Sequence, residues 1–216
     1  MSNPDSFIDE VTEELRRDRL FATFRKYGWI GGLTVALIVG GAAWNEYSKA
    51  QQSARAQAFG DGLIDALDLG EAGARAAALA ELDATGSQSA LKALIETSDN
   101  TADKPAALAA LATLEADSAQ PQIYRDLASL RRVMLGGADL PLQERRAALN
   151  GIAPRAFGAL AREQLAYLLI EEGKKDEAIA ALSALLDEQN APAGLIARAS
   201  QAIVALGGAL PEKSAG

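Results

Sequence analysis

The chain contains no cysteine and no histidine, and aromatic residues make up only 5% of its 216 residues. Without cysteine there is no disulfide, so a folded domain must be stabilised by packing. The two missing residue types also remove the commonest zinc ligands, the Ser-His and Cys-His nucleophile pairs, and the usual general base near neutral pH. We therefore expect no enzymatic activity, no bound metal and no cofactor.

Basic residues are outnumbered by acidic ones, 21 to 29, which gives a formal net charge of −8. Phosphate binding needs a basic face, so nucleic acid is not an expected partner. The chain also lacks any run that alternates apolar and polar residues as a half-buried strand does. Good helix formers such as Ala, Leu, Glu and Arg are abundant instead. These patterns predict an all-α protein.

One uncharged stretch, residues 27–45, has 19 residues, which is close to the length of a helix that crosses a bilayer. Aromatic rings at both borders suit the headgroup layer, and basic residues are concentrated before the stretch, as on the cytoplasmic side of a membrane. We predict a cytoplasmic segment at 1–27, a transmembrane helix at 28–47 and an outer domain at 48–206. The border aromatics are Tyr27, Trp29, Trp44 and Tyr47, and the preceding basic residues are Arg16, Arg17, Arg19, Arg25 and Lys26.

Two other interpretations of this stretch stay open. Gly41 and Ala43 have the spacing of a signal-peptide cleavage site, although the acidic residues before them are unusual for one. The stretch also resembles a buried helix of a soluble protein, which the border aromatics and the charge asymmetry disfavour. Within the predicted cytoplasmic segment 1–27, Ser6 and Asp9 form a capping box and residues 6–26 are predicted to form one amphipathic helix, either on the inner leaflet or in solvent.

Small residues recur every four positions along the predicted transmembrane helix, at Gly28, Gly32, Ala36 and Gly40. In lipid, where apolar attraction between helices is weak, such a stripe lets a second helix approach closely. We expect these residues to pack against a transmembrane partner, and a homo-oligomer is one form of this. The alternative is that glycine and alanine are common in membrane spans for other reasons.

An internal repeat organises the predicted outer domain. Residues 105–133 overlay without a gap on residues 176–204 when they are shifted by 71 positions, about two tetratricopeptide periods of ~34 residues. The overlay aligns Pro121 with Pro192 and keeps the large apolar positions in register. Residues expected to let adjacent helices approach, or to form the turn between them, are Ala107, Ala128, Ala161, Gly173, Ala178 and Ala199.

A hairpin of this length buries too little apolar area alone, so neighbouring hairpins must stack into one core. Proline and glycine positions mark the helix ends. From them we predict hairpins at 45–84, 87–118, 122–150 and 154–189, a capping helix at 192–206 and a disordered tail at 207–216.

Residues 165–186, LAYLLIEEGKKDEAIAALSALL, resemble the tetratricopeptide pattern, with Gly173 at the turn and Ala178 in the second helix. The layout, together with the segment WNEYSKAQQSARAQAFGDGL and LASL at 127–130, is similar to the YfgM-like family of ancillary subunits of the SecYEG translocon. This resemblance implies a tetratricopeptide-like α-solenoid in the periplasm, anchored in the bacterial inner membrane with its N-terminus in the cytoplasm. It also implies association with the Sec translocon and with periplasmic chaperones in protein export.

Arginine is concentrated in the middle repeats of this acidic chain, and stacked hairpins usually bind extended peptides on a concave face. We hypothesise that five residues there contact a partner, the arginines through forked hydrogen bonds to acidic groups. These residues are Tyr124, Arg125, Arg131, Arg132 and Arg162. The alternative is that these arginines only solvate helix faces. Adjacent acidic residues are likewise predicted to be solvated: Glu171 with Glu172, Asp176 with Glu177, and Asp187 with Glu188.

Two functions fit this sequence. The first is a membrane-anchored adaptor whose anchor raises the effective concentration of the repeat domain near its partners. The second is a structural assembly or cell-division scaffold that acts through self-association.

A charge at the centre of residues 28–47 tests the anchor. Because a central Arg costs about 2.5–3.5 kcal/mol and the apolar side chains here contribute only ~2–3 kcal/mol, Leu37→Arg is expected to abolish insertion. Extraction of membranes with alkaline carbonate should then release the chain. Ser48→Arg, outside the span, is the control, and retention of the Leu37→Arg chain in the membrane pellet would contradict the anchor.

Overall fold

The computed structural model describes the backbone of residues 4–99, 103–188 and 191–210, with side chains from residue 25 onward except that of Asp99. Nine α-helices account for most of these residues, and none of the described residues lies in a strand, which confirms the all-helical prediction. The helices are α1 (Pro4–Leu67), α2 (Ala72–Glu81), α3 (Ser87–Asp99), α4 (Lys104–Ala116), α5 (Gln122–Gly136), α6 (Leu142–Ile152), α7 (Gly158–Glu171), α8 (Lys175–Leu186) and α9 (Ala193–Ala205), with a short 3₁₀ turn at Gly137–Asp139.

The chain divides into two compact units, Met1–Asp61 and Gly62–Gly216. In the first unit the described residues belong to α1, which continues through both predicted boundaries, at 27 and at 47. Helix α1 runs on past 47, and the second compact unit begins at Gly62. The reason is local, because residues 48–58 contain neither proline nor glycine to end a helix. They also lack the large apolar side chains that would pack into a core.

In the second unit each helix from α2 to α9 packs against the next helix along the chain, and α3 also contacts α5 while α7 contacts α9. The predicted hairpins at 87–118, 122–150 and 154–189 correspond to the helix pairs α3 and α4, α5 and α6, and α7 and α8. Contacts between successive hairpins are the arrangement expected when no hairpin can bury its apolar face alone.

Three apolar clusters form the core of this unit, and two helices belong to two clusters each. Helix α5 places Ala128 in the cluster shared with α3 and α4, and Leu130 in the cluster shared with α6 and α7. Helix α7 places Ala161 in that second cluster and Ala166 in a third, shared with α8 and α9. Because α5 and α7 each contribute side chains to two clusters, each cluster shares a helix with the next one along the chain.

The positions related by the 71-residue shift have matching surroundings. Ala107 and Ala178 are both buried, as are Leu111 and Leu182, and Ala128 and Ala199. Pro121 and Pro192 each precede a helix with extended backbone, at φ −53°, ψ 139° and φ −57°, ψ 139°. The pair α4 and α5 therefore matches the pair α8 and α9: the same aligned positions are buried, and a proline precedes the second helix of each pair.

Glycine is required at two helix ends near the end of the unit. Gly173 closes α7 at φ +76°, a left-handed conformation that strains residues with a Cβ. A Cβ on Gly208 would lie 2.9 Å from Cγ2 of Ile203 and 3.1 Å from Cγ2 of Ile179. The amide of Gly207 donates to the Val204 carbonyl and that of Gly208 to the Ile203 carbonyl. The predicted disordered tail thus includes two residues that cap α9, while 211–216 lie outside the described residues.

Replacing a buried alanine by leucine tests the close approach of these helices. Ala199 is fully buried in the α7–α8–α9 cluster, whereas Ala197 on the same helix is exposed. Overpacking costs about 1–3 kcal/mol, and each kcal/mol lowers Tm by about 2–4 °C in a domain of this size. Ala199→Leu should therefore lower Tm of the full chain by about 2–12 °C in far-UV circular dichroism. Ala197→Leu should leave it unchanged, and equal melting of the two variants would refute tight packing at Ala199.

Candidate protein-binding surface: the arginine bridges and an open cleft

The apolar part of α1 is uncovered in the first unit. Trp29, Leu37 and Trp44 are 67%, 68% and 73% exposed. The most apolar 18-residue window in Arg25–Leu67 has none of its residues buried, and by length and composition this helix is able to cross a membrane. The predicted packing stripe is open too, because nothing lies within 4 Å of a Cβ built on Gly28, Gly32 or Gly40, and Ala36 is exposed.

Basic side chains in the second unit reach the carboxyl ends of helices other than their own. Lys92 of α3 donates to the carbonyls of Ala80 and Leu82 at 2.8 Å each, at the end of α2. Lys104 donates to the carbonyl of Gly136 at the end of α5, 3.3 Å away. No helix from α2 to α9 has a basic residue in its own last turn. The cations that favour a helix C-terminus therefore come from other parts of the fold.

Arg125 and Arg162 make the same contact. Nε of Arg125 donates to the carbonyl of Glu115 near the end of α4, 3.1 Å away. Nη1 of Arg162 donates to the carbonyl of Ala153 just after α6, 2.8 Å away, and its Nε and Nη2 donate to the carboxylate of Glu188. Arg162 thus connects the end of α6, the start of α7 and the segment that follows α8.

Arginine–carboxylate pairs connect the same helices. Arg132 of α5 donates to Glu115 at 2.7 Å and to Glu144 at 2.5 Å, which joins α4, α5 and α6. Arg145 of α6 forms a forked pair with Glu171 of α7, both hydrogen bonds being 2.7 Å long. Three further pairs are Arg146 with Glu172, Arg155 with Asp126, and Arg198 with Glu163. Such bonds are short, directional and sensitive to the spacing of the helices.

Glu163 is the most deeply buried of these carboxylates, with 1% of the residue exposed. It accepts hydrogen bonds from Arg198 at 2.8 and 2.7 Å and from the hydroxyl of Tyr167 at 3.0 Å. Burial and the hydrogen bond to Glu163 raise the pKa of Tyr167, and the hydrogen bond to Glu163 raises the pKa of Arg198. An unpaired carboxylate here would be strongly destabilising, so the pair is a structural contact between α7 and α9.

The five residues hypothesised to contact a partner are all engaged within the chain. Tyr124 packs against the cluster of α3, α4 and α5. The guanidinium of Arg131 donates to the carbonyl of Leu94, and burial lowers its pKa. Arg125, Arg132 and Arg162 make the contacts given above. Four of the five are therefore arginines with an internal bonding role.

Three of the adjacent acidic residues that were predicted to be solvated also form ion pairs, and of these Glu171 stays 46% exposed. Glu171, Glu172 and Glu188 pair with arginines 26 residues earlier in the chain, a separation that sequence spacing within one helix does not reveal. Asp176, Glu177 and Asp187 are exposed, as predicted. In the ranges that the structure describes, no group of three or more acidic residues is arranged to hold a metal ion.

Sequence reasoning also missed Asp126 and Glu163, which are 4% and 1% exposed. For Glu163 a signal was present in the helical periodicity. Glu163 lies three residues after Leu160 and three before Ala166, so it falls on the apolar stripe of α7. A carboxylate on such a stripe is rarely buried unless it is paired, which would have predicted an arginine opposite.

An open cleft of about 240 Å³ lies between α4, α5 and α6, and we call it the α5–α6 cleft. One wall is polar and the other consists mainly of small side chains. Its lining residues are Glu115, Gln122, Arg125, Asp126, Ser129, Ala147, Ala148, Gly151, Ile152 and Arg155.

Comparison with known proteins found no matching family model, no matching curated protein and no matching solved structure.

The Arg145–Glu171 and Arg146–Glu172 pairs predict how the stability of the fold decreases at acidic pH. Hydrogen bonding to Arg145 lowers the pKa of Glu171 below its ordinary value of 4.5, and hydrogen bonds to Arg146 and Lys174 do the same for Glu172. A carboxylate with a depressed pKa stabilises the fold above its unfolded pKa, and this contribution is lost as pH falls from 4.5 through the lower folded value.

The double variant Glu171→Gln/Glu172→Gln should therefore melt below the wild type at neutral pH and lose less Tm than the wild type as pH falls below 4.5. Thermal melts followed by circular dichroism across this range make the measurement. Glu177→Gln changes an exposed acid just after the turn, in α8, and should reproduce the wild-type profile. A double variant whose Tm falls as steeply as that of the wild type would contradict the role of these pairs.

Proposed function

We propose that the chain is a non-enzymatic adaptor anchored in the bacterial inner membrane, whose periplasmic tetratricopeptide-like repeat domain holds other proteins. In this proposal it associates with the Sec translocon and with periplasmic chaperones during protein export. The single observation that carries the proposal is the uncovered apolar segment of α1, with Leu37 68% exposed, in the same chain as a folded helical unit.

The second unit supports a binding role more than a catalytic one. The buried carboxylates of its described part are held by arginines, and no group of acidic residues is placed to hold a metal ion. An array of hairpins that contact mainly their neighbours presents an extended surface, the form in which repeat proteins bind peptides and helices. The anchor raises the effective concentration of the second unit near a membrane-bound partner, because both proteins are confined to the membrane.

Self-association as a structural assembly or division scaffold is the second candidate. The observation that favours it is the stripe of Gly28, Gly32, Ala36 and Gly40, which is open along α1 and suits close packing of two helices in lipid. This stripe equally accommodates a transmembrane helix of a different protein.

Site-specific crosslinking in native membranes separates the two candidates. A photoreactive residue is placed at Ile123 or Met134, which are 44% and 57% exposed on the second unit, and in a second series at Gly32 of the stripe. The adaptor predicts adducts from the second unit to translocon subunits or periplasmic chaperones. The scaffold predicts mainly dimers of the chain at all three positions.

The Leu37→Arg chain is the control for anchoring, since adducts that depend on the membrane should disappear when the span is lost. Protease added to the periplasmic side should digest the second unit in spheroplasts, which tests the orientation. A second unit that is protected from this protease, or that yields no protein adduct, would refute the adaptor.

A further inference from the structure

Four exposed side chains lie in contact along one face of α1, at the end of its apolar segment. The ring centroids of Trp44 and Tyr47 are 6.4 Å apart. The side-chain amide of Gln51 donates to the hydroxyl of Tyr47 at 2.9 Å, and Nη2 of Arg55 donates to the side-chain oxygen of Gln51 at 3.3 Å. We call Trp44, Tyr47, Gln51 and Arg55 the α1 ladder, and all four residues are exposed. The ladder connects the border of the apolar segment to a cation.

That cation has no acidic partner. Arg55 donates to the uncharged side chain of Gln51, and among the described side chains no carboxylate lies within ion-pair distance of it. The other charges in residues 45–60 are Glu46 and Lys49. At about 100° per residue they lie roughly 200° and 140° round the helix from the first residue of the ladder. These two residues, of opposite sign, therefore share the opposite face, and Arg55 is the only charge of the ladder.

The length of α1 determines how far this cation lies from a bilayer that the helix crosses. Tyr27 and Tyr47 are 20 residues apart, which at ~1.5 Å per residue matches the ~30 Å hydrocarbon core. The Cα atom of Arg55 then lies about 12 Å beyond the core, and the headgroup layer extends about 5–7.5 Å from it. Helical side chains lean toward the helix N-terminus, which here is the direction of the membrane. The hydrogen bond from Arg55 back to Gln51 follows this direction and brings the guanidinium toward the headgroups.

We propose that the α1 ladder binds an anionic phospholipid of the outer leaflet, with Arg55 donating to the lipid phosphate and the two aromatic rings contacting the region below it. This inference rests on the membrane anchor of the proposed function and gives the class of lipid that the anchor prefers on its outer side. A guanidinium has five N–H donors in a planar fork, so Arg55 can keep its bond to Gln51 and still donate to a phosphate.

The charge of the headgroup decides which lipid is preferred. A zwitterionic headgroup carries an ammonium group beside its phosphate, and this ammonium offsets the attraction between Arg55 and the phosphate. An anionic headgroup has no such group. The chain as a whole has a net charge of −8 and is not attracted to anionic lipid, so a preference at this border has to come from a local cation.

Quenching of tryptophan fluorescence by brominated lipids tests this preference, because the chain has only two tryptophans, one at each end of the apolar segment. Trp29→Phe leaves Trp44 as the only reporter. The full chain with this change is reconstituted in bilayers that contain either brominated phosphatidylglycerol or brominated phosphatidylcholine. Quenching of Trp44 should show about fivefold preference for phosphatidylglycerol, the factor that corresponds to ~1 kcal/mol for one arginine near an anionic surface. Added salt should reduce the preference.

Three further variants locate the contact. Arg55→Gln should make the two lipids equal quenchers of Trp44. Arg55→Gln/Gln57→Arg keeps the composition and net charge but moves the cation about 200° round the helix and ~3 Å farther from the membrane, so it should also remove the preference. Trp44→Phe, used in place of Trp29→Phe, gives the matched control. Because Trp29 lies about 22 Å from Trp44 along the helix, its quenching should not change with Arg55→Gln.

Equal quenching of Trp44 by the two lipids, or a preference that survives Arg55→Gln or the relocation of the arginine, would overturn the lipid contact. Strong and equal quenching by both lipids would keep the membrane anchor and remove only its lipid preference. If neither lipid quenched Trp44, the helix would not be in the bilayer, and both the anchor and this inference would be refuted.

Discussion

Contacts from basic side chains to the ends of other helices are the constraint on which the second unit depends. A cation near a helix C-terminus contributes about 0.3–1 kcal/mol, and in this chain it is supplied across the fold, as by Arg162 to the carbonyl of Ala153. Burial of one leucine contributes more, about 1.5–3 kcal/mol, so apolar packing supplies most of the stability. The basic side chains determine which helices pack together, because each hydrogen bond forms only when a particular helix end lies at the right distance.

This arrangement makes helix formation and helix stacking interdependent. An isolated helix of 10 to 15 residues, the length of those from α2 to α9, is marginal in water. At the ends of α2, α4, α5 and α6, the favourable charge is gained only when the neighbouring helix that carries the cation is in place. Deep pairs such as Glu163 with Arg198 add to this dependence, since the carboxylate tolerates burial only with α9 packed on α7.

Alanine sets the distances at which these contacts form. Ala128, Ala161 and Ala199 are each fully buried on α5, α7 and α9, where a larger side chain would separate the helices. The chain has few aromatic residues to fill wider gaps, so its core depends on close backbone approach. A guanidinium such as that of Arg132 then reaches carboxylates on both neighbouring helices, at 2.7 and 2.5 Å.

The helix pairs of the second unit were predictable from the sequence because their ends are local signals. Pro121 and Pro192 begin helices, and Gly173 ends one at positive φ, so the residues themselves mark the boundaries. The continuation of α1 through 47 agrees with the predicted first hairpin, which begins at 45 inside the predicted span. A polar, alanine-rich stretch without a breaker is also compatible with a continuing helix.

The pairing of the arginines was not predictable from spacing, since their partners lie on other helices. Arg145 finds Glu171 26 residues away and Arg198 finds Glu163 35 residues away. Such distances follow from the three-dimensional stacking of hairpins, whereas the i, i+4 rule applies within one helix. The position of Glu163 among the apolar residues of α7 was the one sign in the sequence that a charged partner existed.

Internal pairing also determines what charge this acidic unit presents to other proteins. Six arginines of α5 to α9 and the loops between them are paired with carboxylates within the chain, and the chain keeps its net charge of −8. An acidic partner segment is therefore repelled by most of the surface.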